Sequence, residues 1–189
     1  AVSKTFSMKE IEPLLKHGHI HFGENKVQEA INKWTNVKNN FENVKLHMIG
    51  KLQTNKAKFL IPLFDFLHSL DSIKLAEKIS KEEKKFKKKI KIFIQVNIGN
   101  EEQKNGVQIK ELENFYKICV NELDLNIIGL MCLPPEKQDA KPFFKKMKEL
   151  NKHLGLNELS MGMSSDYLDA VQYGASFIRV GSKIFGERN

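Results

Sequence analysis

The chain alternates short apolar runs with longer stretches in which apolar residues recur every three or four positions, and little separates the two. The short runs read as β-strands at residues 1–4, 19–23, 45–50, 66–70, 92–97, 127–131, 159–161 and 177–180. Between them the helical period predicts helices at residues 8–16, 26–38, 55–63, 72–86, 109–121, 140–153 and 166–173. The fifth helix puts Leu112, Phe115, Tyr116 and Cys119 on one face. The run from Ile92 to Val96 is almost continuously apolar, as expected of a parallel strand covered on both faces. Eight strands alternating with helices imply the α/β class and a (β/α)8 TIM barrel. With 189 residues, this is a barrel with short loops, one domain over residues 1–189. The chain opens inside a strand pattern without an initiator Met, so upstream residues are expected to be missing.

A barrel carries its chemistry at the C-terminal ends of its strands. Those ends are polar here: Lys4, Gly23-Glu24-Asn25, Gly50, Asp71, Asn97, Met161-Gly162-Met163-Ser164 and Arg179-Val180-Gly181-Ser182. Arg179 stands out because only two of the 31 basic side chains are arginine, the other being Arg188. A permanently charged planar fork at a strand end, beside a helix start, suits an anionic heteroaromatic ligand. A structural arginine capping the barrel rim fits the same position. Lys4 ends the first apolar run. A lysine partly desolvated among packed side chains has the lowered pKa that a Schiff-base amine needs, whereas a surface lysine needs no such setting. The segments Ser164-Ser165-Asp166 and Gly181-Ser182 follow the last two strands, where barrels frequently hold phosphate. Small hydroxyl residues there either let backbone N–H groups approach an anion or cap the next helix.

Charge changes this picture little. The net charge is +8, but residues 78–91 alone hold eight lysines, facing only Glu82 and Glu83, and read as a solvated helix end. Scarce arginine argues against base readout, so no nucleic-acid partner is expected. No run of 18 apolar residues is present, so no membrane span is expected. Cys119 and Cys132 match no metal spacing and suit a reduced, cytoplasmic compartment. His17, His19 and His21 alternate, but no carboxylate or cysteine completes a recognisable metal set.

Seven phrases in order carry a resemblance over nearly the whole chain. They are Ala1-Val2-Ser3-Lys4-Thr5, His21-Phe22-Gly23-Glu24-Asn25, the stretch from His47 to Lys56, Val96-Asn97-Ile98, Ile128-Gly129-Leu130-Met131, the stretch from Leu159 to Ser164, and the stretch from Arg179 to Gly186. On these the chain resembles the pyridoxal phosphate homeostasis protein family, single-domain relatives of the alanine racemase barrel. The resemblance implies that Lys4 holds pyridoxal 5′-phosphate (PLP) as an internal aldimine. It also implies that Arg179 faces the pyridine nitrogen, that Ser164, Gly181 and Ser182 hold the phosphate, and that Asn25 lines the pocket near the ring. An arginine there keeps the ring nitrogen unprotonated and weakens the electron sink that PLP catalysis depends on.

The implied function is PLP homeostasis: a cytoplasmic monomer that binds PLP reversibly, passes it to PLP-dependent apoenzymes, and has no robust activity of its own. An amino-acid racemase is the alternative. Catalytic relatives take a second base, a tyrosine, from an additional C-terminal domain, which a chain ending at Asn189 is expected to lack. A phosphate-binding barrel enzyme without PLP is a further alternative. The family usually carries a helical segment before the lysine strand, whereas this chain begins at that strand.

Overall fold

Seven parallel strands run in sequential order around the molecule: β1 (His21–Glu24), β2 (Lys45–Met48), β3 (Phe66–Leu70), β4 (Lys91–Val96), β5 (Ile127–Cys132), β6 (Glu158–Met163) and β7 (Phe177–Arg179). This structure is a computed structural model, and it describes residues 1–101 and 103–186; Arg188 lies outside them. The helices are α1 (Met8–Lys16), α2 (Val27–Asn40), α3 (Ala57–Leu63), α4 (Ile73–Phe86), α5 (Leu112–Lys117), α6 (Lys141–His153), α7 (Tyr167–Gln172) and α8 (Ser182–Phe185). They alternate with the strands, giving the expected α/β barrel.

The strand count departs from expectation at one place. Residues 1–4 form no full strand. Only Val2 makes a parallel bridge, to Gly23 of β1. Its N–H also donates to the Val180 carbonyl at 2.8 Å, and the Ser3 N–H donates to the Gly23 carbonyl at 3.0 Å. Ala1 to Ser3 therefore fill the gap between β1 and β7 and nearly close the barrel. The pairing stops there because Lys4 and Thr5 turn away, with Thr5 at φ 69°. A β-branched residue in the left-handed region is strained, so the backbone just after Lys4 is held by its surroundings. One restraint is visible: the Thr5 N–H donates to Glu29 Oε1 at 2.9 Å.

Two apolar layers hold the fold. The larger lies between the sheet and the helices and includes Phe22, Trp34, Leu46, Leu60, Ile79 and Phe144. The amphipathic helices feed it, with Leu75, Ala76 and Ile79 from α4 and Phe144 and Met147 from α6. The smaller layer fills the barrel interior with Phe66, Phe93 and Met131, joined by Phe177. Here aromatic rings, not the branched aliphatics usual in such barrels, occupy the lower interior. The expected helix over residues 109–121 keeps its buried face but divides into a 3-10 turn (Ile109–Glu111), α5 and a π-helical turn (Ile118–Glu122). No helix among the described residues is long and apolar enough to cross a membrane.

Candidate functional site

All six residues singled out from the sequence, Lys4, Asn25, Ser164, Arg179, Gly181 and Ser182, line one cavity of about 360 Å³ at the C-terminal ends of the strands. Val2, Ile49, Leu133, Met163 and Ser165 complete its wall. Ser165 belongs to the loop already expected to meet an anion and Met163 to an expected strand end, whereas Ile49 and Leu133 were not singled out as lining residues; Val2, Ile49, Leu133 and Met163 supply apolar surface.

Lys4 is half-buried and sits one residue past the closing segment. Its position is set from below by Ser3, which is fully buried. The Ser3 hydroxyl donates to Glu24 Oε1 at 2.8 Å, and Lys33 Nζ donates to the Ser3 carbonyl at 3.0 Å. Glu24 is itself fully buried; its Oε1 also accepts from Trp34 Nε1 at 2.8 Å and from Lys33 at 2.9 Å. A buried carboxylate tied to three donors on two segments is a rigid anchor. Glu24 was legible only as a polar strand end.

The two loops expected to meet an anion are joined to each other. The Gly181 N–H donates to Ser164 Oγ at 3.4 Å. Neither loop spends its hydroxyl on capping: the N-cap residues are Asp166 for α7 and Gly181 for α8, with no side-chain cap bond at either. The expected hydroxyl cap by the serines is therefore not formed. Asp166 Oδ1 instead accepts from the Met163 N–H at 2.7 Å, which folds the Ser164-Ser165 turn. Gly181 passes close to the closing segment, where a Cβ would lie 3.3 Å from the Val2 carbonyl oxygen. Beneath Asn25, Gly50 approaches so closely that a Cβ would meet the Asn25 carbonyl oxygen at 2.4 Å. Only glycine leaves the Asn25 backbone where it is.

Arg179 forms the floor. It is buried, and its Nη1 donates to Ser160 Oγ at 2.7 Å while Nη2 donates to the Cys132 carbonyl at 2.8 Å. Among the described residues no carboxylate pairs with it, and burial pulls its pKa below the ordinary arginine value. A guanidinium held only by neutral acceptors keeps its field and its remaining donors for a ligand. Burial pushes the neighbouring Cys132 thiol up to about 12, so it supplies no thiolate.

The chain matches the family described as alanine racemase, N-terminal domain, over residues 1–189. The pyridoxal phosphate homeostasis protein of Aquifex aeolicus is 37% identical over 197 residues, a match covering 98% of this chain and 85% of the relative. The protein of that name from Haemophilus influenzae is 35% identical over 202 residues, covering 100% and 84%. The chain belongs to the pyridoxal phosphate homeostasis protein family. PipY of Synechococcus elongatus superposes with a TM-score of 0.91, covering 98% of this chain and 91% of its own; it has been solved without PLP, at 35% identity, and with PLP bound, at 34%.

The interior below Arg179 holds His21, His47 and His68. His17, His19 and His21 do not gather into a site. His17 caps α1, His19 meets the Ala1 backbone nitrogen at 3.2 Å, and His21 turns to His47 at 2.9 Å. No group of three metal-ligating side chains occurs among the described residues. His47 and His68 are buried, each stacked on a phenylalanine: Phe66 at 4.1 Å and Phe93 at 4.4 Å. Burial, with positive neighbours adding to it, holds both well below the usual histidine range.

A pH dependence of stability follows. The unfolded histidines take up protons near pH 6.5, whereas the folded ones resist, so the unfolded state binds more protons below that pH. Stability is intact above about pH 6.5 and falls as the pH drops towards the folded values, by about 1.4 kcal/mol per pH unit for each group. Urea unfolding at pH 7 and pH 5 should show the midpoint falling, with a shallower fall in His68→Phe.

Proposed function

We propose that the protein binds PLP in the cavity at the top of the barrel and serves intracellular PLP homeostasis, holding the cofactor reversibly and passing it to apoenzymes. The observation that carries this reading is the meeting of one amine, one buried guanidinium and two hydroxyl-bearing loops around a single 360 Å³ space. The residues fit the group. Lys4 is the covalent anchor for the aldehyde, and Arg179 donates towards the ring nitrogen. Ser164, Gly181 and Ser182, with their loop N–H groups, hold the phosphate. Asn25 would border the ring, and Ile49, Leu133 and Met163 would offer it apolar surface. Bound PLP supplies an electrophilic aldehyde on an electron-withdrawing ring. Arg179 opposes protonation of the ring nitrogen, because two adjacent positive charges repel. This favours storage over catalysis. One barrel domain over residues 1–189, acting as a monomer in the cytoplasm, completes the proposal.

Titrating the protein with PLP and with pyridoxal, read by absorbance, tests the phosphate assignment. Each charge-assisted bond contributes about 1.5–3 kcal/mol, so losing one weakens binding by roughly 10- to 150-fold. Pyridoxal should bind at least tenfold more weakly than PLP. Equal affinities would mean the two loops do not hold the phosphate.

A further inference from the structure

The barrel interior contains an unbroken row of hydrogen bonds from its basal end to Arg179. His21 Nδ1 meets His47 Nε2 at 2.9 Å, His47 Nδ1 meets His68 Nε2 at 2.9 Å, and His68 Nδ1 meets Ser160 Oγ at 2.8 Å. Ser160 Oγ accepts from Arg179 Nη1 at 2.7 Å. The row crosses from β1 through β2 and β3 to β6 and β7. It begins at the half-buried His21 at the start of β1, which lines an open cavity of about 620 Å³ along the seam between β1 and β7, and ends at the residue that floors the cofactor cavity. A small void of about 50 Å³ runs beside it, touched by His21, His47, His68 and Arg179.

Both histidine–histidine links join Nδ1 of one ring to Nε2 of the next, and the last ring meets Ser160 through its Nδ1, which fixes the logic of the row. A neutral imidazole has one donor and one acceptor nitrogen. Two arrangements satisfy all three links. In the first, each histidine carries its proton on Nδ1 and donates towards Ser160. In the second, each carries it on Nε2, and the Ser160 hydroxyl donates to His68. No mixed arrangement works, because it would set two lone pairs or two N–H groups against each other. Protonated His21 has N–H groups on both nitrogens, so it is compatible only with the first arrangement. In the second arrangement Ser160 both donates and accepts, and that cooperativity strengthens its bond from Arg179. In the first, Ser160 accepts from both neighbours and its own proton is released from the row.

We infer that His21, His47, His68 and Ser160 form a tautomer relay by which protonation at the base of the barrel changes how Arg179 is held beneath the cofactor. His68 and Ser160 are positioning residues, since they act through Arg179. The pocket end of this inference rests on the PLP reading above. The groups facing the row are few. His21 faces His19, Lys45 of β2, Asp65 before β3 and Lys91 of β4. His47 faces His21 and His19, and His68 faces His47 and Arg179. Asp65 alone favours the protonated His21; burial and the cations oppose it.

Two measurements decide it. Nitrogen-15 NMR of ligand-free protein labelled in histidine reports the tautomer of each ring between pH 8 and pH 5.5. His47 and His68 should move towards the Nδ1–H form with the midpoint of His21, and His21→Gln should abolish that shared midpoint. Tautomers unchanged through the His21 titration, or the same pH response in His21→Gln, would overturn the relay. The second measurement is the pH profile of PLP affinity. It should carry the same midpoint in the natural protein and lose it in His47→Phe, which keeps the stacking ring but removes both nitrogens. A profile unaltered in His47→Phe would overturn the coupling to the pocket. Failure of PLP to bind at all would refute the proposed function, while the ligand-free NMR would still decide the relay.

Discussion

Borohydride reduction of the PLP-loaded protein, followed by peptide mapping, should place the pyridoxyl group on Lys4, and Lys4→Ala should eliminate both the label and the colour of the lysine adduct. The chain offers many competing amines, so the result discriminates. Lys26, Lys51 and Lys56 line the neighbouring cavity on the far side of Asn25. Lys183 lies over the Tyr167 ring at 4.8 Å, in the cavity along the β1–β7 seam. Among the described residues, Lys4 is the one lysine that shares its cavity with Arg179 and the two hydroxyl loops. Its backbone is also fixed on both sides, by the buried Ser3–Glu24 bond before it and the strained Thr5 after it. Pre-positioning of that kind keeps the amine close to the aldehyde carbon and removes the entropic cost of finding it. Lys4→Arg is the informative control. It keeps the charge and most of the length but has no amine that condenses with an aldehyde. Loss of the label in both variants, with PLP still retained through its phosphate, is the expected pattern. A label on Lys26, Lys56 or Lys183 with Lys4 unmodified would displace the covalent anchor.

The sequence disclosed the barrel and the ring of polar strand ends because both depend on local pattern. Alternating periods placed the helices within a few residues, and α1 matches its expected bounds over residues 8–16. Residues 1–4 look like any other apolar run, yet only Val2 bridges, because the turn at Lys4 and Thr5 ends the pairing. Their shortness is a consequence of closure between β1 and β7, which no local signal encodes. The buried row was hidden for a different reason. His21, His47 and His68 are separated by whole βα units and meet only through strand register, with Gly23 beside His47 and His47 beside Phe66. Strands covered on both faces give no contrast that would tell an interior histidine from one facing the helices. Glu24 was missed likewise: a glutamate at a strand end reads as solvent-facing until Lys33 and Trp34 are seen to meet it.

Racemisation of L-alanine by the PLP-loaded barrel should not exceed that of free PLP with lysine. Inverting Cα requires a base on each face of a planar intermediate. Of the described side chains that line the cavity, only Lys4 and Arg179 belong to ionisable residue types, and Arg179 lies buried in the floor against Ser160 and Cys132. None of the three tyrosines lines it. Tyr116 borders a basal cavity beside Lys91, Tyr173 ends α7, and Tyr167 lies under Lys183 in the cavity shared with His19 and His21. A missing positioned base typically forfeits about 10²–10⁴-fold in rate. An arginine facing the ring nitrogen lowers the rate further by leaving the ring a poorer acceptor of the developing charge. Deuterium exchange at Cα in heavy water, followed by chiral analysis, separates the cases. A lone lysine permits slow exchange with retention. Rapid exchange yielding D-alanine, lost in Lys4→Ala, would require a second base on the opposite face and would replace the storage reading with that of a racemase.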